Sequence, residues 1–471
     1  MKDKLPLAVG ALVLALFALG AWWLNRPQEQ RLPPAPPPAP QEAAPEPPGQ
    51  KPEAALNLDT GELPFPPRTA RYGHEVFGLN EGLVLPLPGL RKELGAAELH
   101  TLEQRARLLE ELGAGTVRLN SHNWPYLNFM QADEDWEDED LFFELAEEAG
   151  LDLVVVVGPW PGTRTMMYTG SYLPEDMQAY QDWVHELVQR YGDQVLAWEI
   201  DNEPDLHNSE PPRAARGKVK PGSFQTPTEY AQVVLATSEA IREADPQAFV
   251  LLGGMYRAHT PKGNTYLQQV WEQPGVPEAV DGLSLHCYFS SSDLEVPERL
   301  MTVARTLAPD KPVWITETSL PSAMPAAPHS NETWQAKGLV ALHGELLAQG
   351  ADRILWHTLI DAQREQEVGP VGLKTNSLYK TELDEEGLTV TVPKPAAATY
   401  ADLVEAMSGQ ELEAIEVHKD EDGRMLILDQ GWLVYQGTVA TPDKARKAWD
   451  LVSGEKLALE RRIEAPAWVQ R

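Results

Sequence analysis

The sequence is poor in cysteine and in positive charge. A single cysteine, Cys287, among 471 residues rules out an internal disulfide, and no Cys/His cluster has the spacing of a zinc site. The 39 Lys and Arg residues are outnumbered by 71 Asp and Glu residues, and the resulting net charge of −32 repels nucleic acid phosphates. No Gly-rich nucleotide loop follows an early predicted strand. We therefore predict no metal, no cofactor and no nucleic-acid partner.

The N-terminal segment differs from the rest of the chain. Lys2 and Lys4 precede an uncharged apolar run at 5–24, which as a helix rising about 1.5 Å per residue could cross a bilayer core of about 30 Å. Trp22 and Trp23 at its far end suit a membrane interface, and the preceding lysines favour a cytoplasmic N-terminus. We predict an uncleaved signal anchor, with a cleaved signal peptide as the alternative. Either leaves the remaining chain outside the cytoplasm, in the periplasm or the extracellular space.

Short apolar runs alternate with amphipathic stretches from about residue 69 onward. The runs are continuously apolar, as in the valines at 154–157, which is typical of parallel strands that are covered on both faces. Repeated strand–helix alternation predicts an α/β fold, a closed (β/α)8 TIM barrel, with a doubly wound open sheet as the alternative. The predicted strands are 76–80, 115–120, 151–157, 195–201, 249–254, 282–287, 312–317 and 353–359.

Both ends of the chain differ in composition from this repeating part. The segment from Arg26 to Lys51 is rich in Pro, Ala, Gln and Glu and predicts an extended spacer. Beyond a predicted helix at 396–407, short alternating segments predict a small β domain. The predicted organisation is an anchor or signal peptide at 1–25, a Pro-rich linker at 26–53, a barrel domain at 54–408 and a β domain at 409–471.

Two of the predicted strands end in a glutamate. The fourth reads LAWEIDNEP and brings Glu203 to its end directly after Asn202, and the seventh reads PVWITET and ends at Glu317. Because the carboxyl ends of barrel strands face one opening, the two carboxylates are expected to meet there. Paired carboxylates are what glycosidic cleavage needs, one to protonate the leaving oxygen and one to attack the sugar or activate water. A salt bridge or a cap is the alternative role for either glutamate.

These two segments resemble motifs of a known group of enzymes. Residues 191–204 look like the acid/base motif of clan A glycoside hydrolases, and residues 314–318 resemble their nucleophile motif. The resemblance extends over about 72–407 and is closest to family 39, which includes β-xylosidases, iduronidases and bacterial exopolysaccharide endoglycosidases, with family 5 as a neighbour. It implies a (β/α)8 barrel and a retaining mechanism, with Glu203 as acid/base and Glu317 as nucleophile.

Further polar residues match features of the clan. The resemblance implies that Arg118, at the end of the second strand, lies close to Glu317, where a cation keeps the carboxylate ionised. It also implies that Asn202 contacts the sugar 2-hydroxyl, that Tyr288 donates a hydrogen bond to Glu317, and that His286 lines the site. A structural salt bridge is the alternative for Arg118, and a core histidine is the alternative for His286.

Two tryptophans are candidate sugar contacts. Sugars present flat apolar faces that stack on aromatic rings. Trp356 on the eighth strand resembles the aromatic platform under the sugar, and Trp160 lies in the loop after the third strand. Packing within the barrel is the alternative for Trp356.

The sequence thus predicts an O-glycosyl hydrolase that cleaves β-linked bonds of an oligo- or polysaccharide through a covalent glycosyl-enzyme intermediate. The tether and spacer favour an envelope exopolysaccharide as the substrate. A non-catalytic carbohydrate-binding or polysaccharide-assembly protein and a transglycosylase are the alternatives. We predict a monomer whose partners are its carbohydrate and the membrane that holds the N-terminal helix.

Overall fold

The structure is a computed structural model. It describes residues 76–80, 96–119, 136–159, 173–174, 176–205, 226–288, 295–323, 330–360, 376–383, 389–418 and 423–471. All of these residues belong to one compact unit, Gly61–Arg471. The predicted anchor and linker lie outside the described residues. Within the described ranges, no helix is both long and apolar enough to cross a membrane.

Eight parallel strands form a closed barrel in chain order, so the predicted (β/α)8 barrel is confirmed over the open sheet. The barrel closes where Leu79 on the first strand pairs with Trp356 on the eighth. Each strand end differs from its predicted position by at most two residues. The strands are β1 (Phe77–Asn80), β2 (Thr116–Leu119), β3 (Asp152–Val157), β4 (Val195–Asn202), β5 (Val250–Met255), β6 (Gly282–Tyr288), β7 (Val313–Ser319) and β8 (Arg353–His357).

Helices connect the strands, and their starts follow from capping residues. Asp176 accepts the N–H of Ala179 at 3.0 Å, and Thr226 forms a reciprocal capping box with Glu229. The helices are α1 (Ala96–Leu112), α2 (Glu137–Glu148), α3 (Met177–Tyr191), α4 (Pro227–Ala244), α5 (Pro261–Trp271), α6 (Val276–Ala279), α7 (Glu295–Leu307), α8 (Glu332–Ala348) and α9 (Pro395–Met407), with a short 3₁₀ turn at Gly192–Gln194.

The barrel interior is apolar near the start of the strands and polar near their ends. Val154, Ala197, Leu251 and Trp314 form a buried cluster in the first half of β3, β4, β5 and β7. The ring of Trp314 lies under the guanidinium of Arg353 at 4.6 Å. Polar side chains fill the barrel above this layer, so the mouth is the end at which charge is concentrated.

Extra sheets follow the barrel, as the sequence predicts. A hairpin of β9 (Tyr379–Leu383) and β10 (Thr389–Pro393) precedes α9 and was not predicted. The C-terminal strands are β11 (Leu412–His418), β12 (Gly423–Leu428), β13 (Gly431–Gln436), β14 (Thr438–Ala440), β15 (Lys447–Asp450), β16 (Lys456–Leu457), β17 (Arg462–Glu464) and β18 (Ala467–Gln470). Six of them form one sheet in the order β11-β12-β13-β18-β15-β16, and β14 pairs with β17.

The C-terminal sheet packs on α8. The ring of Tyr435 packs directly against Gly344, where a Cβ would lie 2.3 Å from that ring. Next to it, the buried carboxylate of Glu345 accepts hydrogen bonds from Arg424 at 2.6 Å and from the hydroxyl of Tyr435 at 3.2 Å. This contact is at the outside of the barrel, so the C-terminal sheet supports the barrel wall through α8.

Candidate active site

Glu203 lies just beyond β4 on a turn with an unusual backbone. Asp201 and Glu203 have positive φ angles of 73° and 53°, which are uncommon for residues other than glycine. The carboxylate of Asp201 accepts the N–H of Asn202 at 2.6 Å, and the N–H of Glu203 donates to the carbonyl of Gly254 at 2.9 Å. The turn interrupts the alternation of the strand, so both Asn202 and Glu203 reach the mouth.

β7 brings Glu317 into the barrel through an irregular register. The pairing with β6 shifts just before His286, which lies opposite Glu317. Strict alternation would send Thr316 and Glu317 to opposite faces of the sheet. Instead, the hydroxyl of Thr316 donates to Glu199 at 3.3 Å while Glu317 accepts from Arg118 at 2.7 Å. The register shift therefore lets two successive residues face the interior.

Arg118 on β2 is fully buried and joins the ends of β4 and β7. Its Nε and Nη2 donate to the two oxygens of Glu199 at 2.7 and 2.9 Å, and its Nη1 donates to Glu317 at 2.7 Å. Nη2 also donates to Oδ1 of Asn202 at 2.8 Å. Because a guanidinium only donates, this contact leaves the amide nitrogen of Asn202 as a hydrogen-bond donor. Arg118 is thus in a buried ion pair and in contact with the candidate nucleophile.

Glu317 is held in its ionised form. Its Oε1 accepts from Arg118, and its Oε2 accepts the hydroxyl of Tyr288 at 2.6 Å. Burial alone would raise the pKa of Glu317, but the charges of His286 and Arg118 together with the Tyr288 hydrogen bond hold that pKa well below its ordinary value. A carboxylate in this state is suited to nucleophilic attack.

His286 lies between the two catalytic candidates. Its Nδ1 is 3.0 Å from Oε1 of Glu203 and 3.4 Å from Oε2 of Glu317. Burial alone would lower the pKa of His286, but the charge of Glu317 and the hydrogen bond to Glu203 hold that pKa above its ordinary value. Gly254 makes room for the imidazole, since a Cβ there would lie 2.1 Å from Nε2 of His286. His286 is therefore more than a core histidine.

The two glutamates differ in their surroundings. The side chain of Glu203 is 16% exposed and that of Glu317 is 8% exposed. Among the described side chains, Glu203 hydrogen-bonds His286, whereas Glu317 is bonded by both Arg118 and Tyr288. Glu203 is therefore the more open of the two carboxyls, and Glu317 is the more enclosed one and is held by two hydrogen-bond donors.

A metal ion has little to add to this arrangement. In the described part of the chain, Glu203, His286 and Glu317 form the one group of acidic and histidine side chains close enough to share an ion, with one atom of each within 4.8 Å of the others. However, Arg118 and Tyr288 already donate to both oxygens of Glu317, and Nδ1 of His286 already bonds Glu203. The donor set fits a hydrogen-bonded carboxylate pair.

Two residues at the mouth were missed in the sequence, Asn80 at the end of β1 and His357 at the end of β8. Arg118 donates to Oδ1 of Asn80 at 3.1 Å, so Nδ2 of Asn80 donates to Nδ1 of His357 at 2.9 Å. The ring of His357 also meets Tyr288 edge-on at 6.0 Å. Their position at strand ends is the sequence signal that could have found them.

Trp356 is not a sugar platform, contrary to the sequence prediction. Its side chain is fully buried and stacks on His343 of α8 with ring centroids 5.9 Å apart. Its indole N–H donates to the carbonyl of Asn376 at 2.8 Å. Trp356 therefore faces the surrounding helices, which is the barrel packing considered as its alternative role. Trp160 lies outside the described residues.

The sequence model of glycoside hydrolase family 44 matches residues 149–258, a segment that contains β3, β4 and Glu203. No curated protein matches the chain. The matched segment is a minority of the chain, so it does not assign the chain to that family.

Solved structures with the same fold include two carbohydrate enzymes and an exported protein. A family 39 glycoside hydrolase from Bacteroides cellulosilyticus WH2 is 14% identical, with 84% of this chain and 78% of that chain covered and a TM-score of 0.55. A glucosidase from Croceicoccus marinus is 14% identical, with 81% and 77% covered and a TM-score of 0.51. A conserved exported protein from Bacteroides fragilis is 14% identical, with 86% and 98% covered and a TM-score of 0.58.

These matches agree with the motifs. The resemblance to clan A glycoside hydrolases is confirmed at the level of the fold, and the family match falls on the segment that carries the acid/base motif. The fold, the paired carboxylates and the family match together support one class of protein, an O-glycosyl hydrolase.

Proposed function

We propose that this chain is a retaining glycoside hydrolase that cleaves β-linked bonds of an oligo- or polysaccharide. The observation that carries the proposal is the approach of Glu203 and Glu317, an oxygen of each lying within 4.8 Å of the other. Retaining enzymes hold their two carboxyl groups about 5–5.5 Å apart, whereas inverting enzymes need about 6.5–9.5 Å to admit a water. The gap leaves room for direct attack on the sugar.

In this mechanism Glu317 attacks the anomeric carbon while Glu203 gives its proton to the leaving oxygen. A covalent glycosyl ester forms on Glu317 as the glycosidic bond breaks. Glu203 then takes a proton from water, which attacks the ester and releases the sugar and the carboxylate of Glu317. The assignment is supported by the depressed pKa of Glu317 and by the greater exposure of Glu203.

The surrounding residues have separate roles in the proposal. Arg118 and Tyr288 hold Glu317 in place and ionised, and Arg118 orients Asn202. The amide nitrogen of Asn202 would donate to the sugar 2-hydroxyl, a contact that strengthens in the transition state. His286 contacts both carboxylates. It would stabilise the negative charge that forms on Glu203 in the first step and the negative charge that returns to Glu317 in the second step.

The test is a panel of aryl β-glycosides and polysaccharides incubated with the full chain, with Glu203→Gln and Glu317→Gln alongside. We expect the wild type to cleave at least one glycan class and both variants to lose that cleavage. Circular dichroism of each variant checks that the fold is intact. The cleaved compound also identifies the sugar.

Other outcomes would point to the alternatives. If nothing is cut but wild type and both variants bind one glycan equally, the chain is a carbohydrate-binding scaffold. If products of transfer to an added acceptor sugar exceed those of hydrolysis, the chain is a transglycosylase that excludes water.

We further propose that the chain is tethered to the membrane by 1–25, held off it by 26–53, and acts as a monomer on envelope exopolysaccharide. The support is the apolar run flanked by lysines and tryptophans and the proline-rich segment after it. Fusion of residues 1–60 to alkaline phosphatase should give active enzyme in the membrane fraction. Active enzyme in the soluble fraction would indicate a cleaved signal peptide instead, and inactive enzyme would contradict export.

Sedimentation of the detergent-solubilised chain measures its mass and so tests whether the chain is a monomer.

A further inference from the structure

Asp205 is a buried carboxylate that the mechanism above does not use. Its side chain lies two residues after Glu203, and the residue is 4% exposed. Its Oδ1 accepts the N–H of Tyr256 at 2.9 Å and its Oδ2 accepts the N–H of Arg257 at 2.6 Å. With the described residues it forms no salt bridge. Burial of a carboxylate without a paired cation costs free energy. The position of Asp205 is therefore expected to have a structural or functional benefit that offsets this cost.

These bonds tie the turn that carries Glu203 to the end of β5. The N–H of Glu203 donates to the carbonyl of Gly254 at 2.9 Å, and Asp205 then holds the N–H groups of Tyr256 and Arg257. The turn is thus fixed at three points on one neighbouring segment. Glu203 has a left-handed backbone with φ of 53°, a conformation that persists only where the surroundings hold it.

The same segment reaches the other half of the site. The ring of Tyr256 lies 5.9 Å from the ring of Tyr288, tilted by 45°. The hydroxyl of Tyr288 donates to Glu317 at 2.6 Å. Asp205 is therefore connected through Tyr256 to the wall that orients the candidate nucleophile.

Carboxylates at the opposite end of the barrel make similar bonds but with an arginine beside them. Asp281 accepts the N–H of Val250 at 2.8 Å and pairs with Arg242 at 2.7 Å. That arrangement links neighbouring strands far from the mouth. Asp281 therefore provides a matched control, a carboxylate that fixes a strand backbone without any contact with the catalytic candidates.

We propose that Asp205 is a positioning residue that fixes the Glu203 turn against the Tyr256–Tyr288 wall, so that the acid/base meets the leaving oxygen in the correct geometry. The proposal rests on the proposed function. Asparagine at this position keeps the shape but has a single acceptor oxygen, and its NH2 group faces one of the two backbone N–H donors. Asp205→Asn therefore breaks one of the two anchoring bonds and leaves the rest of the site unchanged in composition.

The kinetic test compares the full-length wild type with Asp205→Asn and Asp281→Asn on aryl β-glycosides of graded leaving-group pKa. A dinitrophenyl leaving group departs without protonation, whereas a poor leaving group needs the acid. We expect Asp205→Asn to change kcat/KM by less than about 3-fold on the dinitrophenyl glycoside and to lower it about 10²-fold on the poorest leaving group. Asp281→Asn should change all substrates by one common factor. An equal loss across the series for Asp205→Asn would overturn the proposal.

A second measurement does not require activity. Hydrogen exchange should show lost protection at the amide of Tyr256 or of Arg257 in Asp205→Asn, whichever one faces the new NH2 group, but at neither amide in Asp281→Asn. If the wild type hydrolyses no aryl glycoside, the proposed function fails, and exchange still decides whether Asp205 anchors the turn. Unchanged protection at both amides would overturn the anchoring. If Asp205→Asn does not fold, Asp205→Glu, which keeps both acceptor oxygens but displaces them, should show the same leaving-group signature with a smaller amplitude.

Discussion

The two ends of the barrel use charged residues differently. At the start of the strands, Asp281 pairs with Arg242 and Asp352 pairs with Arg305, so that each carboxylate has its own arginine. At the mouth, Glu199 and Glu317 share Arg118, and Glu203 depends on a histidine. The complete pairs hold strands to one another. The shared network leaves Glu203 without an arginine of its own among the described residues, which suits the proton transfer proposed for it.

The backbone shows the same difference. The non-glycine residues with positive φ in the described ranges are Asp201 and Glu203, both at the mouth. The layer below, formed by Val154, Ala197 and Trp314 among others, is apolar, and none of these residues has a positive φ. Strain concentrated at one end of a barrel is typical of a site in which geometry matters more than stability. We therefore expect a change at the mouth to lower activity more than a matched change elsewhere in the barrel.

Glu317→Gln should have the largest effect. Removal of the nucleophilic oxygen is expected to lower kcat by at least about 10⁴-fold on every substrate, as measured with the glycoside that the panel identifies. Asp352→Asn is the matched change at the other end. It weakens the bonds to Arg305 and to the N–H of Val313 and should lower the free energy of unfolding by about 1–3 kcal/mol in urea while kcat stays within about 2-fold. A large loss of kcat in both variants would contradict the functional difference between the two ends of the barrel.

Arg118→Lys should have the next largest effect. Lysine cannot reach Glu199, Glu317 and Asn202 together, because it lacks the planar fork of the guanidinium. We expect kcat/KM to fall about 10²–10³-fold. Arg242→Lys, at the other end, should leave kcat/KM unchanged and alter only the unfolding midpoint. Equal kinetics for Arg118→Lys and wild type would show that Arg118 is no more than a structural salt bridge.

Gly254→Ala should act through His286. The added Cβ would lie 2.1 Å from Nε2 of His286 and 2.8 Å from Oε1 of Glu199, so the imidazole must leave its present position beside the two carboxylates. A displacement of this size should lower kcat/KM about 10²-fold. Gly192→Ala is the control, since its Cβ would meet Val188 at an ordinary 3.5 Å. Full activity in Gly254→Ala would show that the position of His286 does not matter for catalysis.

The smallest expected effect is a shift in pH dependence. Glu317 must be ionised, and the nearby charge of His286 helps to hold its pKa below the ordinary value. His286→Gln removes that charge, so the pKa of Glu317 should rise and the acid limb of kcat/KM should move up by about one pH unit. His185→Gln on α3 is the control, and its acid limb should match that of the wild type. An unmoved acid limb in His286→Gln would contradict the account.

The sequence was sufficient for the barrel and for the two glutamates because both depend on local patterns. Most of the strands contain a short apolar run, and each glutamate lies a few residues beyond such a run. The sequence was insufficient for the orientation of β8, where Trp356 and His357 are adjacent and it does not indicate which of the two faces inward. A strand buried on both faces has no polar alternation to set that choice. The structure sets it through closure with β1, which brings Asn80 to His357 across 277 residues of sequence.

The irregularities at the mouth were beyond sequence reasoning for a related reason. Period-two alternation predicts that Thr316 and Glu317 face opposite sides of the sheet. The register shift between β6 and β7 allows both to face inward, and a shift of this kind is fixed by neighbouring strands. The hydrogen bonds of Asp205 likewise go to the backbone N–H groups of Tyr256 and Arg257, just after β5, which no sequence motif reveals.

The most direct test of the central claim is the stereochemistry of the first product. Proton NMR would follow the anomeric signal during hydrolysis of the aryl β-glycoside that the panel identifies, before mutarotation mixes the anomers. The account predicts that the β-anomer appears first, because attack by Glu317 and then by water inverts the anomeric centre twice. If the α-anomer appears first, water attacks directly, and Glu317 is not the nucleophile.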